Sequence, residues 1–231
     1  IPVDVVAGTS AGAIVGSLFA AGTDLDMLAR FVQELNWGKL VNVTLPHLGL
    51  VSSEPMYQLL RLFTRDRTFA DLDVPLAVVA TDIRTGEEVV INSGLVADGV
   101  RASFSIPGIF VPVERDGRLL VDGGLVNRVP ADVCRRLGAD VVIAVDVGLP
   151  PIGKRVKNLA DVILRTIEIL DRESARQRIA AANVVIKPEL GNVMSTQLNR
   201  AAEIIAAGRT AAEKQLSQIT AAIRGAEEQA N

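Results

Sequence analysis

Gly8-Thr9-Ser10-Ala11-Gly12 sets a serine hydroxyl between two glycines, where the apolar run Val3 to Ala7 gives way to the small-residue run Ala11 to Ala21. Strand, tight turn and helix in that order form the context of a nucleophile elbow. Side chains flanking the serine collide in so sharp a turn, which accounts for glycine on both sides, at Gly8 and Gly12. The turn lifts the Ser10 hydroxyl above the sheet edge, at the positive end of the helix that follows. Backbone N–H groups there, that of Ala11 first, are placed to hold an oxyanion.

A serine nucleophile needs a base. The chain has one histidine, His47, in the breaker-rich stretch Thr44 to Gly49, and none follows it. A Ser-His-Asp order with a late histidine is therefore not expected, and the base falls to a carboxylate. Asp82, Asp122 and Asp146 each end an apolar, strand-like run, where catalytic groups collect in α/β sheets. Periodicity does not rank them. Local chemistry favours Asp122, because Gly123 and Gly124 let the backbone turn tightly beside its carboxylate. Asp82 precedes Ile83-Arg84-Thr85-Gly86 and reads as a turn residue; Asp146 leads into the loop Val147 to Pro151.

Together, Gly8 to Gly12 and Asp122-Gly123-Gly124 resemble the patatin-like phospholipases, in their compact bacterial branch. Ile1-Pro2-Val3-Asp4, Ala80-Thr81-Asp82 with Thr85-Gly86, and Ala102 to Phe110 with Pro112-Val113 follow in the family's order, over roughly the first two thirds of the chain. The resemblance implies a Ser10–Asp122 dyad that cleaves acyl esters of phospholipids, lysophospholipids or related lipids through an acyl-enzyme, without metal or cofactor. It also implies a glycine-rich oxyanion loop ahead of the elbow, about one β–α unit of ~30 residues, which this sequence does not contain. The 231-residue chain as it stands is accordingly expected to be poorly active, since one lost oxyanion donor costs about 10²–10³ in rate. An acyltransferase and a catalytically impaired lipid-binding module are the alternative expectations.

Composition bounds the rest. Apolar residues make up 49% of the chain and mean hydropathy is +0.32, enough for a sizeable core and an acyl-binding cleft. A net charge of −3 gives no basic footprint for nucleic acid and argues against strong docking on anionic membranes. One cysteine, Cys134, excludes an internal disulfide; with a single histidine it also excludes a Cys/His zinc site. A cytoplasmic protein in peripheral contact with membranes is expected, a signal peptide being left open.

The elements that must position these residues read as one three-layer α/β/α domain over 1–231, with a mostly parallel central sheet and a helical C-terminal third. Strand 3–7 leads to helix 11–21. Asp24 caps a helix to about Leu35, and Ser52 or Ser53 caps one carrying Met56, Leu59, Leu60 and Phe63. The irregular apolar segment 37–52 reads as packing under a loop, with a lipid-facing lid as the alternative. Strands 76–82 and 88–92 form a hairpin, and helix 97–105 stops before Pro107. Strands 109–114 and 118–121 flank the turn Asp116-Gly117. Helix 130–138, strand 141–146, helix 160–182 and strand 184–187 follow. A helix from Ser195 to about Gln229 breaks near Gly208, its stripe Leu198, Ile205, Ala212, Leu216, Ile219 and Ile223 packing on the sheet or, alternatively, on a second copy of the chain.

Overall fold

In the computed structural model the residues described are 1–34, 42–43, 49–148, 162–163, 166, 169, 178–191, 193 and 200–230. Strand β1 (Val6–Thr9) enters α1 (Ala11–Ala20), followed by α2 (Leu25–Glu34), β2 (Asn42–Val43), β3 (Gly49–Ser52) and α3 (Glu54–Thr64). Then come β4 (Leu76–Asp82), β5 (Glu88–Ile91), α4 (Val96–Phe104), β6 (Gly108–Phe110), β7 (Val113–Arg115), β8 (Arg118–Asp122), α5 (Ala131–Arg136), β9 (Ile143–Val145), β10 (Val184–Ile186) and α6 (Ala201–Ala230).

β4 is the spine of the molecule. All seven of its residues are buried, and they alternate between two covered faces, as the period of a strand requires. Leu76, Val78 and Ala80 share one core with Ala13 of α1, Leu60 of α3 and Val100 of α4. Ala77 and Val79 point the other way, against Val133 of α5. Helices on both faces make the three α/β/α layers. The sheet itself corrects one expectation. β1 runs parallel to β4, but β5 and β8 pair with β4 antiparallel, as β7 does with β8. It is mixed rather than mostly parallel, because short hairpins feed two of its strands. At one of these turns Asp116 and Gly117 both take positive φ, 51° and 73°, the geometry that matches a two-residue turn to strand twist.

Other expectations shift at their edges. β1 starts at Val6, not Val3, because pairing with Leu76–Val79 rather than apolarity sets its ends. The strand expected over 109–114 is two strands, β6 and β7, parted at Val111-Pro112; proline offers no N–H to a ladder. α6 runs unbroken through Gly208. A lone glycine costs a helix only about 1 kcal/mol, too little to break thirty residues of continuous helix. Of the stripe on α6, Ile219 is buried against Val184 and Ile186, whereas Ile205 and Leu216 are exposed. His47 and most of segments 37–52 and 160–177 lie outside the described residues. Among the described residues, no helix is long and apolar enough to cross a membrane.

Candidate active site

The register of β4 brings Ser10 and Asp122 together. β5 takes one edge of β4 along Val78–Thr81, so β1 and β8 share the other. β1 runs up that edge and stops with Thr9 opposite Val79. β8 runs down it and stops with Asp122 opposite Ala80. Two strands far apart in sequence thus abut, carboxyl end to carboxyl end, at adjacent residues of one strand. The residues after each end, Ser10 and Gly123, turn out of the sheet at the same place.

Side chains lock this junction. Thr81 Oγ1 donates to the Asp122 carbonyl at 3.0 Å, and Asp122 N–H donates to the Ser105 carbonyl at 2.9 Å. Thr9 Oγ1 donates to the Asn127 carbonyl at 2.7 Å. Ser10 itself sits at φ 54°, ψ −119°, a region that costs a non-glycine residue about 1–3 kcal/mol. Its amide donates to Ser103 Oγ at 3.0 Å. Ala11 and Gly12 then open α1 on an exposed surface, and the first N–H groups of a helix have no carbonyl partner within it.

The Asp122 carboxylate is 6% exposed. Burial pushes its pKa up to about 6, against the hydrogen bonds from the Ser10 hydroxyl and the Gly124 N–H, which favour the ionised form. The Gly124 N–H lies 2.7 Å from Oδ1. A carboxylate this dry, facing a serine hydroxyl, is a far better proton acceptor near neutral pH than a solvated aspartate.

The two other acids are otherwise engaged. Asp82 Oδ1 accepts the Arg84 N–H at 3.0 Å, capping its own turn as expected. Asp146 lies 3.3 Å from Arg128 and 3.7 Å from Lys187 and accepts the Gly148 N–H. Among the described residues, no three His, Cys, Asp or Glu side chains converge on a metal position. A cavity of about 210 Å³ lined by Asp4, Phe69, Pro75 and Asn92 opens beside Leu76, at the end of β4 remote from Ser10.

A family model described as patatin-like phospholipase matches residues 1–135, which hold the elbow, Asp122 and both strands that carry them. The chain belongs to the patatin-like phospholipase family. It is 39% identical over 156 residues to a patatin-like phospholipase domain-containing protein of Caenorhabditis elegans, covering 64% of this chain and 12% of that one. Against patatin-like phospholipase domain-containing protein 7 of Rattus norvegicus it is 35% identical over 158 residues, again 64% of this chain and 12% of the relative. An uncharacterized NTE family protein of Mycobacterium bovis is 34% identical over 143 residues, 61% of this chain and 39% of its own length. The chain thus spans a small part of the curated relatives that it matches.

Within this patatin-like domain the elbow glycines divide. A Cβ on Gly8 would stand 2.4 Å from the Gly12 carbonyl oxygen and 2.7 Å from the Ala13 nitrogen, whereas a Cβ on Gly12 meets nothing within 4 Å. Crowding therefore explains Gly8 alone, and the expectation for Gly12 is corrected: its side-chain direction points away from the turn. Gly8→Ala is expected to lose about 2 kcal/mol of stability, while Gly12→Ala gains a few tenths from helix propensity. Urea unfolding of the two variants checks this, and equal stabilities would contradict the division.

Sequence reasoning passed over Asn127 and gave no role to Thr81 and Ser103, although both lie in segments that carry the family resemblance. Asn127 is buried and donates to Glu88 at 2.8 Å and Asp132 at 2.9 Å while its carbonyl receives Thr9. These are ordinary polar types whose importance lies in partners dozens of residues away. The run Asp122 to Asn127 offered a faint signal, an Asx residue following a double glycine.

Proposed function

We propose that this chain cleaves acyl ester bonds of lipids, with Ser10 as nucleophile and Asp122 as its general base. The supporting observation is a serine in a strained elbow facing a carboxylate whose burial lifts its pKa to about 6. Membership of a phospholipase family supplies the substrate class.

Asp122 takes the Ser10 proton as Oγ attacks the ester carbonyl carbon, and the carbonyl π pair moves onto oxygen. The Ala11 N–H, at the positive end of α1, donates to that oxyanion. Collapse of the intermediate breaks the C–O bond to the alcohol or lysolipid, which leaves with the proton held by Asp122. Water then attacks the acyl-Ser10 ester, Asp122 accepts its proton, and the second collapse returns that proton to Ser10 as the fatty acid departs. The carboxylate is regenerated after each half-reaction. The protein acts in the cytoplasm, reaching its lipid at a membrane surface without electrostatic anchoring, in keeping with a net charge of −3.

A fluorophosphonate probe tests the proposal. The full chain is expected to become covalently labelled on Ser10 and to release fatty acid from a lysophospholipid, both at a low rate with the Ala11 N–H as oxyanion donor; Ser10→Ala abolishes both. Folded protein that binds fatty acid but never labels would identify a lipid-binding module instead. Labelling with acyl transfer to an added alcohol, and no free fatty acid, would identify an acyltransferase.

A further inference from the structure

We infer that Ser103 is a positioning residue for the nucleophile: its hydroxyl fixes the backbone of Ser10 so that Oγ faces Asp122. This rests on the Ser10–Asp122 assignment above and deepens it.

Ser103 lies near the end of α4, 93 residues from Ser10 in sequence, and its side chain is fully buried. Its Oγ donates to the Val79 carbonyl at 2.6 Å and accepts the Ser10 N–H at 3.0 Å. A carbonyl only accepts and an amide only donates, so the hydroxyl proton has a single direction open to it. The network is fixed without recourse to water.

Each partner is informative. The Ser10 amide belongs to the residue at φ 54°, and in that conformation it has left the β1 ladder; the Ser103 oxygen is its acceptor. β1 ends opposite Val79 of β4, and β8 ends opposite the next residue, Ala80. One hydroxyl therefore ties the strained elbow to the point where the two site-bearing strands abut. Two residues further on, the Ser105 carbonyl receives the Asp122 N–H at 2.9 Å. The end of α4 thus holds the backbone of both reacting residues. Relaxation of Ser10 toward negative φ would swing its Cβ, and with it Oγ, off the line to Asp122, and displacements of about 1 Å cost on the order of 10² in rate.

The experiment measures fluorophosphonate labelling of the full chain against probe concentration, separating the limiting rate from probe affinity. Ser103→Ala is expected to lower the limiting rate about 10–100-fold with affinity unchanged, and Ser103→Thr, which keeps the hydroxyl, to recover most of it. Ser103→Cys is closest in size and a poor hydrogen-bonder; it should fold, label slowly, and decide the matter if the alanine variant does not fold. The pH midpoint of labelling should move up in the alanine and cysteine variants, because a Ser10 hydroxyl swung away from Asp122 no longer favours its ionised form. Hydrogen exchange at the Ser10 amide should speed up in the alanine and cysteine variants, independently of any activity. Ser103 variants that label at the wild-type rate, in a protein whose wild type labels on Ser10, would overturn this inference and leave the dyad standing. A wild type that never labels on Ser10 would remove the dyad, and this inference with it.

Discussion

Asp122→Asn is expected to lower kcat/KM for ester hydrolysis by ~10⁴ and, above pH 6, to make the protein more stable. Asparagine preserves the shape. Its oxygen still accepts the Gly124 N–H, now 2.7 Å from Oδ1, but it cannot take the Ser10 proton. The gain in stability follows from the same burial that raises the Asp122 pKa. In the folded protein Asp122 titrates at about 6, against an ordinary value of 3.8. Below about pH 4 the carboxyl is protonated in folded and unfolded chains alike, and stability is at its full value. As pH rises from there, the unfolded chain releases its proton first, so the folded state loses stability until its own carboxyl ionises near pH 6. A gap of about two pH units corresponds to about 3 kcal/mol. The asparagine variant, never ionising, escapes this loss: it should unfold at higher urea than wild type at pH 8 and at nearly the same urea at pH 4. The wild-type rate should rise with pH through about 6 and then level off, because only the ionised carboxylate acts as base. Asp82→Asn and Asp146→Asn, whose carboxylates serve a turn and an ion pair, should keep kcat/KM within about tenfold. A larger loss at either, or a destabilised Asp122→Asn at pH 8, would overturn the assignment.

How far this site was legible depended on the range of the interaction that builds it. The elbow is local: a strand, a glycine-flanked serine and a small-residue helix lie within twenty residues, and all three form in that order, the strand starting at Val6 rather than Val3. The turn at Asp116-Gly117 is equally local and equally well foretold. Choosing among three strand-ending aspartates needed more. The glycine pair pointed to Asp122, and in the structure Gly123 makes a close approach to β4. What no periodicity encodes is that β1 and β8 share one edge of β4 and end at neighbouring residues. That follows from register across 40 and more positions, and so do the contacts of Ser103 and Asn127. The mixed sheet was misjudged for a related reason. Apolar runs mark strands but carry no direction: the hairpin at Asp116-Gly117 sets β8 against β7, as the turn predicts, but nothing local sets β8 antiparallel to β4.

The abutment of the two strands makes Gly123 the least replaceable residue of the site. A Cβ there would lie 2.2 Å from the Val79 carbonyl oxygen, 2.6 Å from the Val79 carbonyl carbon and 3.0 Å from Thr9 Cγ2. Two of the three are backbone atoms of the central, fully buried strand, so no side-chain rotation relieves the clash. Either β8 lifts off β4, breaking the pairing of Ala80 with Asp122, or Asp122 and Gly123 swing outward together. The first loses core packing and the second carries the carboxylate away from Ser10. Gly123→Ala is therefore expected to destabilise the protein by on the order of 4 kcal/mol, roughly twice the loss at Gly8→Ala. Molecules that remain folded should lose at least 10²-fold in the rate of fluorophosphonate labelling. Gly124→Ala provides the contrast. Its Cβ would approach only the Asp122 Oδ1, at 3.1 Å, a flexible side-chain atom that a few tenths of an ångström of movement accommodates. It should fold nearly as well as wild type and show its cost mainly in rate, through the disturbed carboxylate. Denaturant midpoints together with labelling rates of the two variants separate these outcomes. Equal stabilities would mean that β1 and β8 do not meet on β4 as closely as the register requires.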